Sequence, residues 1–210
     1  TSTETNVQIG NINDLDTSIL FFNSKLYFLN GIDYKEYDGT TFKDVEPYIP
    51  TVKINCNPNG STFTNYEDVN LLTGTKYQTF LANGTDKDYY ITETNVDSID
   101  EVTVNDVVTS TTNDITLGKI TFSTAPIDEA IVKIKWTKTE SGNANLVKNH
   151  KFMMTYGVSN DTSIFIFGNE NEKNVRRWCN PLNAGYFPTT NLTFIGTDET
   201  AITDIKTVYS

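Results

Sequence analysis

The chain has 210 residues, of which 12 % are aromatic and 20 % charged, enough apolar material to bury a core and too much for global disorder. Its 16 Lys and Arg stand against 27 Asp and Glu, a formal net charge of −11; such a surface repels a phosphate backbone and an anionic bilayer alike, which excludes tight nucleic-acid binding. No apolar run reaches membrane-spanning length, so no membrane insertion is expected, and Cys56 and Cys179 stand far apart without a C-x-x-C pair that would make a thiolate zinc site.

Val, Ile, Thr, Tyr and Phe are plentiful and Ala is scarce, which favours strands over helices. Thr1–Asp16 is polar, with a weak alternation at Val7, Ile9 and Ile12 that predicts the outer strand of a preceding sheet. From Ile19 to Val45 the sequence reads SILFF, KLYFLN, DYKEYD and TFKDV, broken at Asn23-Ser24, Asn30-Gly31 and Asp38-Gly39. Asn-Gly and Asp-Gly take up the positive φ angles that tight hairpins require, so this stretch predicts a four-stranded antiparallel meander, the build of one β-propeller blade. Pro47 and Pro50 then deny ladder donors and end the pattern, placing a boundary at Pro50–Thr51.

Thr51–Val69 reads as extended and irregular, with turn chemistry at Asn57-Pro58-Asn59-Gly60. Strands are predicted at Lys76–Leu81, Asp88–Ile91, Glu101–Val108, Lys119–Phe122 and Ala130–Thr137, with turns at Asn83-Gly84, Asn105-Asp106 and Leu117-Gly118. The partial alternation of Val102, Val104, Ile131, Ile134 and Trp136 fits a small β-sandwich with one layer wet on its outer face, and Glu140-Ser141-Gly142-Asn143 closes it as a linker. Strand patterning returns at Lys151–Val158 and Ser163–Asn169, with Val175–Asn180 as a third short strand, Pro181–Pro188 as a loop, and AITDIKTVYS as the opening of another blade. The expected order is therefore blade (1–50), inserted sandwich (51–145), blade (146–210), an all-β fold. Insertion at an exposed loop tip is physically easy. Two blades cannot close a ring that needs about four to eight; the remainder is expected from sequence flanking this chain, which opens on Thr rather than Met.

The string KLYFLNGIDYKEYDGTTFKDVEPYIPTV resembles a segment of tail and head–tail structural proteins of tailed bacteriophages, and NLLTGTKYQTFLANGTDKDYYI continues it. VTVNDVVTS, GKITFSTAP and IVKIKWTKT resemble the Ig-like insertion of such proteins, and NDTSIFIFGNENEKNVRRW with GYFPTTNLTFIGTDETAITDI resembles the blade that follows. The likeness runs from Ile19 to Ile205 and rests on the order and spacing of these pieces. It implies a propeller interrupted by a β-sandwich, as in the nozzle that ends short phage tails. It also implies location in the virion after synthesis in the bacterial cytoplasm, other virion proteins as partners, and a homo-oligomeric ring in the full-length protein. It carries no functional residues with it.

Residues that bear chemistry are sparse, and no catalytic residue, metal site or cofactor is expected. His150 is the single histidine, so any Ser-His-Asp or Cys-His site must use it, yet nothing around it makes such a signature. Paired carboxylates for glycoside hydrolysis have candidates in Asp33, Glu36, Asp38 and the run Asp97–Glu101, of which Asp38 reads better as a turn residue. Glu170-Asn171-Glu172 and the Asp86/Asp88 pair lack the spacing of an EF-hand loop. Arg176-Arg177-Trp178 is the one compact basic-aromatic spot, either an interface anchor or a packing feature between blades. Tyr186-Phe187-Pro188 reads either as an exposed aromatic loop that docks a subunit or stacks on sugar, or as a buried plug. The expectation is thus a phage structural protein acting in tail assembly, with a DNA conduit as an extension; the alternative is a tail-tip or fibre module that binds a host surface glycan.

Overall fold

The structure, a computed structural model, describes residues 7–205; the first six residues and Lys206–Ser210, on which part of the expected final strand falls, lie outside the described residues. The chain divides into two compact units, one made of the chain up to Pro47 together with the chain from Gly142 onward, the other of Tyr48–Ser141. The fold is all-β, built from four sheets in which nearly every strand pair is antiparallel and none of which is closed.

The first unit opens with β1 (Ser18–Phe22), β2 (Lys25–Leu29), β3 (Tyr34–Tyr37) and β4 (Phe42–Asp44), a four-stranded meander in the order β1-β2-β3-β4. The turns follow from the residues named above. Asn23 and Ser24 take φ of 46° and 64°, the paired left-handed geometry of a two-residue hairpin whose twist matches its strands. At the third turn the Asp38 carboxylate accepts from the backbone N–H of Thr40 (2.9 Å) and Thr41 (2.8 Å), while Gly39 supplies φ of 97°. Residues 7–17 form no strand, correcting the alternation read at Val7, Ile9 and Ile12: no neighbouring strand stands beside them to accept their backbone hydrogen bonds. This stretch crosses β4 instead, with Gly10 so close to the Phe42 ring that a Cβ would lie 2.2 Å from it.

The second unit holds β5 (Thr51–Cys56), β6 (Thr64–Asn65), β7 (Thr75–Leu81), β8 (Asp88–Tyr90), β9 (Ser98–Val104), β10 (Val107–Val108), β11 (Thr112–Asp114), β12 (Lys119–Thr121) and β13 (Ile131–Thr137). A six-stranded sheet in the order β10-β9-β13-β7-β5-β6 and a three-stranded sheet in the order β11-β12-β8 share one core. Inward residues alternate along β7 and β13: Phe80, Val132, Ile134 and Trp136 meet Tyr89 and Ile120 from the smaller sheet. Tyr89 sits edge-on to Phe80 (centroids 5.5 Å apart) and to Phe122 (5.2 Å). Thr51–Cys56, read as irregular, is a strand because it pairs in parallel with β7, a partner its own residues do not announce. Glu101–Val108 is a hairpin rather than one strand, since Asn105 and Asp106 turn with φ of 48° and 63°. Both edges of the large sheet are two-residue strands, short enough to offer little template for pairing with another chain.

Back in the first unit come a single helical turn, α1 (Asn145–Lys148), then β14 (Phe152–Tyr156), β15 (Ser163–Phe167), β16 (Val175–Trp178) and β17 (Leu192–Phe194). They form a second meander in the order β14-β15-β16-β17. The expected opening of a further blade at residues 201–205 is not a strand. The two meanders join at their first strands, where the Met153 N–H donates to the Ser18 hydroxyl (3.1 Å). They join again at Tyr34, whose buried ring lies edge-on to Phe187 (5.9 Å) and whose hydroxyl donates to the Ala184 carbonyl (3.1 Å).

Trp136 is the largest fully buried side chain of the second unit. Trp136→Ala should therefore destabilise that unit by about 3–5 kcal/mol. Hydrogen exchange at the amides of β7 and β13 would register the change as lost protection.

Candidate functional site

The candidate interface residues do not fall on one surface. Along β16 the side chains alternate, so Val175 and Arg177 point into the unit while Arg176 and Trp178 share the outer face. Arg177 is buried and its Nη2 reaches both carboxylate oxygens of Glu172, at 2.8 and 3.1 Å. A buried guanidinium held by its own carboxylate is a structural pair, and of the two roles read for this spot, the burial of Arg177 matches packing. Tyr186 and Phe187 are likewise buried, Phe187 completely, against Tyr34. Of the two readings of the Pro181–Pro188 loop, burial matches the plug. Asn183 holds it from within, its side-chain oxygen accepting from the Gly185 N–H (3.1 Å).

Arg176 and Trp178 remain on the outer face, both half-buried. The Trp178 ring stacks on Phe165 across the ladder (5.5 Å, 23°), and the Arg176 guanidinium lies 5.4 Å from the same ring. Arg176 makes no ion pair among the described residues. Phe165 and the exposed Tyr156, edge-on to it at 5.9 Å, extend this aromatic row and were not singled out in the sequence. Their signal was the period-two spacing of aromatics in FMMTY and SIFIF, which places Phe165 opposite Trp178 in register.

The remaining candidates are accounted for by local structure. His150 is fully buried, with Nδ1 3.2 Å from the Val147 carbonyl. Nδ1 can meet a carbonyl only as a donor, so the neutral ring carries its proton there. Burial pushes its pKa down to about 4, with the Arg177 charge acting in the same direction and the Val147 carbonyl opposing. Glu36 is buried and paired with Lys25 (2.9 Å) and Lys43 (3.8 Å). Asp33 accepts from the backbone and side chain of Asn13 (2.8 Å each). Backbone hydrogen bonds from Thr41 and Thr40 lower the Asp38 pKa to about 2. In the second unit Asp97 accepts from the Thr139 N–H (2.7 Å), and Asp100 accepts from Ser98 and Thr137. Asp88 pairs with Lys119 (2.8 Å), Glu170 with Lys151, and Glu172 with Arg177. Among the described residues no group of three or more His, Cys, Asp and Glu is placed to hold a metal ion. Cys56 and Cys179 are both buried free thiols, and burial pushes Cys179 up to about 12.

A cleft of about 420 Å³ in the first unit is lined by Asn30, Asn149, Lys151, Asn169 and Glu170. Its two buried asparagines are engaged in the turns that form it: Asn30 accepts from the N–H of Ile32 (3.1 Å) and Asp33 (2.8 Å), Asn169 from that of Asn171 (3.0 Å). No protein-family model matches this chain, and neither a curated protein nor a solved structure matches it.

The folded chain keeps His150 neutral down to about pH 4, whereas the unfolded chain protonates it near the ordinary histidine value of 6.5. Unfolding thus takes up a proton between these two values. The His150 contribution is fully present above about pH 6.5 and is lost as pH falls toward 4, by roughly 3 kcal/mol in total. Urea titrations across this range should show His150→Gln with a shallower fall in stability than the parent; parallel curves would contradict the assignment.

Proposed function

We propose that this chain is a structural protein of a tailed-phage virion, from the tail or head–tail region, and that its work is assembly and not catalysis. The observation that carries the reading is the nesting. The stretch KLYFLNGIDYKEYDGTTFKDV, which resembles the phage proteins, is β2 to β4 with their turns; the stretch NDTSIFIFGNENEKNVRRW, which resembles the following blade, is β15 and β16. Their meanders belong to one unit, and a separate β unit with its own core is spliced between them. This suits two adjacent blades of a propeller interrupted by an Ig-like insertion. The partners on this reading are other virion proteins and further subunits arranged in a ring.

The charge balance supports an extension. With 27 acidic against 16 basic residues, the surface is suited to a conduit wall that passes DNA without holding it. Reversing Asp and Glu residues of the lumen wall to Lys should slow genome ejection; ejection at the parental rate would dismiss the conduit.

Immunogold electron microscopy of intact virions with antibody against this chain tests the assignment. Label at the collar or tail tube is the expected result. Label confined to the distal tip or fibres would replace it with the glycan-binding alternative, and absence of the protein from disrupted particles as well as intact ones would refute both.

A further inference from the structure

Three turns of this chain are Asn-Gly pairs: Asn30-Gly31, Asn59-Gly60 and Asn83-Gly84. Asparagine is a thermolabile residue, and before glycine it is prone to a spontaneous reaction. The glycine backbone nitrogen attacks the asparagine Cγ, the proton it sheds passes through water to Nδ2, and ammonia leaves, closing a succinimide. Water then opens that ring at either carbonyl, giving aspartate or isoaspartate. Amide and water become carboxylic acid and ammonia, with no other reagent. Glycine favours the attack because it has no Cβ to shield its nitrogen. The sequence treats the three pairs alike, whereas the structure separates them.

Asn30 is 3 % exposed, and its amide is engaged at both ends. Oδ1 accepts from the N–H of Ile32 and Asp33, while Nδ2 donates to the Asn13 carbonyl and to Asp33 Oδ2. Burial keeps water from Cγ, and turning the amide would break all of these bonds. Asn59, on the loop after β5, is exposed. Its Oδ1 accepts from the Ser61 N–H (3.0 Å) and hydroxyl (2.6 Å), but the Gly60 N–H donates to the Asn57 carbonyl at 2.8 Å, which ties down the nucleophile.

Asn83-Gly84, in the turn between β7 and β8, has neither restraint. Both residues are exposed, and the Gly84 N–H makes no hydrogen bond among the described residues, so its proton is free to leave. Asn83 Oδ1 accepts from the Thr85 N–H (3.1 Å), the Thr85 hydroxyl (3.1 Å) and the Asp86 N–H (2.9 Å). To reach N–H groups two and three residues on, the side chain folds over the Gly84 peptide, which brings Cγ toward the nitrogen that attacks it. The same donors face the oxygen on which negative charge develops in the tetrahedral intermediate, the arrangement that stabilises an oxyanion in acyl transfer.

We propose that Asn83 is a self-modifying site, converting to aspartate and isoaspartate as the folded protein ages, ahead of Asn59, while Asn30 persists. The product changes the turn. Asn83 Nδ2 donates to Asp86 Oδ2 at 2.8 Å; a carboxylate at position 83 has no hydrogen to donate and faces Asp86 as a like charge. Asp128 and Glu129 line the same cleft, so the new charge falls among carboxylates and adds one to the net −11. Each conversion exchanges a hydrogen bond that holds the β7–β8 turn for a repulsion that opens it. The inference is independent of the virion assignment.

Peptide mapping with isoaspartyl methyltransferase labelling tests it, on protein aged at mildly alkaline pH both folded and in concentrated urea. In urea the three pairs should convert at similar rates. In the folded chain Asn83 should convert severalfold faster than Asn59 and faster than it does in urea, and Asn30 should stay unconverted. Thr85→Val, checked as folded by circular dichroism, removes one donor to Oδ1; it should slow Asn83 in the folded chain and leave its rate in urea unchanged. The proposal is overturned if folded Asn83 converts no faster than Asn59, or no faster than in urea. It is also overturned if Asn30 converts alongside it, or if folded Thr85→Val converts as fast as the parent.

Discussion

The first unit depends on a contact between residues 150 apart in sequence: the buried Tyr34 hydroxyl donates to the Ala184 carbonyl while its ring meets Phe187. The reason is geometric. A four-stranded meander buries side chains on one face only when another layer covers that face, and neither chain segment supplies both layers. Tyr27, Leu29 and Tyr34 on one sheet and Ile164, Ile166 and Val175 on the other are hidden because the two segments come together. Burial also fixes the chemistry of that region. Removal from water pushes Tyr34 well above its ordinary range, with the nearby Cys179 and Tyr27 adding to the effect, so the phenol stays protonated and remains a donor.

This joining places a demand on everything between Pro47 and Gly142. A segment that leaves one meander and returns as the start of the next must hold itself together, and the second unit does so with a core that is almost wholly apolar. Its buried polar residues include Lys76 and Gln78, both inward on β7. Lys76 is neutralised by Glu93 at 2.7 Å, and the Gln78 side-chain oxygen accepts from the Thr92 N–H and hydroxyl. The strand pair Leu81↔Ile131 to Thr75↔Thr137 brings the two ends of this unit toward one sheet, which is what an inserted domain requires.

Strand alternation decides what the first unit can offer a partner. In VRRW two adjacent arginines with identical chemistry are separated by the pleat: Arg177 becomes an internal ion pair with Glu172, and Arg176 becomes the cation of an outer aromatic face. The carboxylates divide in the same way between turns, internal pairs and surface, and the net charge of the chain resides in those left at the surface.

The turns and most strands were legible in the sequence because their causes are local. Asn23-Ser24, Asp38-Gly39 and Asn105-Asp106 bend the chain through their own φ preferences, and the apolar alternation of KLYFL and IVKIKWT reads directly as a half-buried strand. The all-β class followed from the same signals. What escaped were elements defined by a partner. β5 is a strand through its parallel pairing with β7, and β11 (TND) and β17 (LTF) are strands only because β12 and β16 stand beside them. Burial was undetermined for the same reason. Nothing in Arg-Arg-Trp or Tyr-Phe-Pro states which side chain faces a second layer of protein; that was decided when Tyr34 and the Pro181–Pro188 loop met. The sequence by itself determined where the chain turns and which residues alternate, since backbone preference is a property of one or two residues. Only the tertiary structure decided which face is hidden and which remains open, since hiding a face takes a second piece of chain distant in sequence.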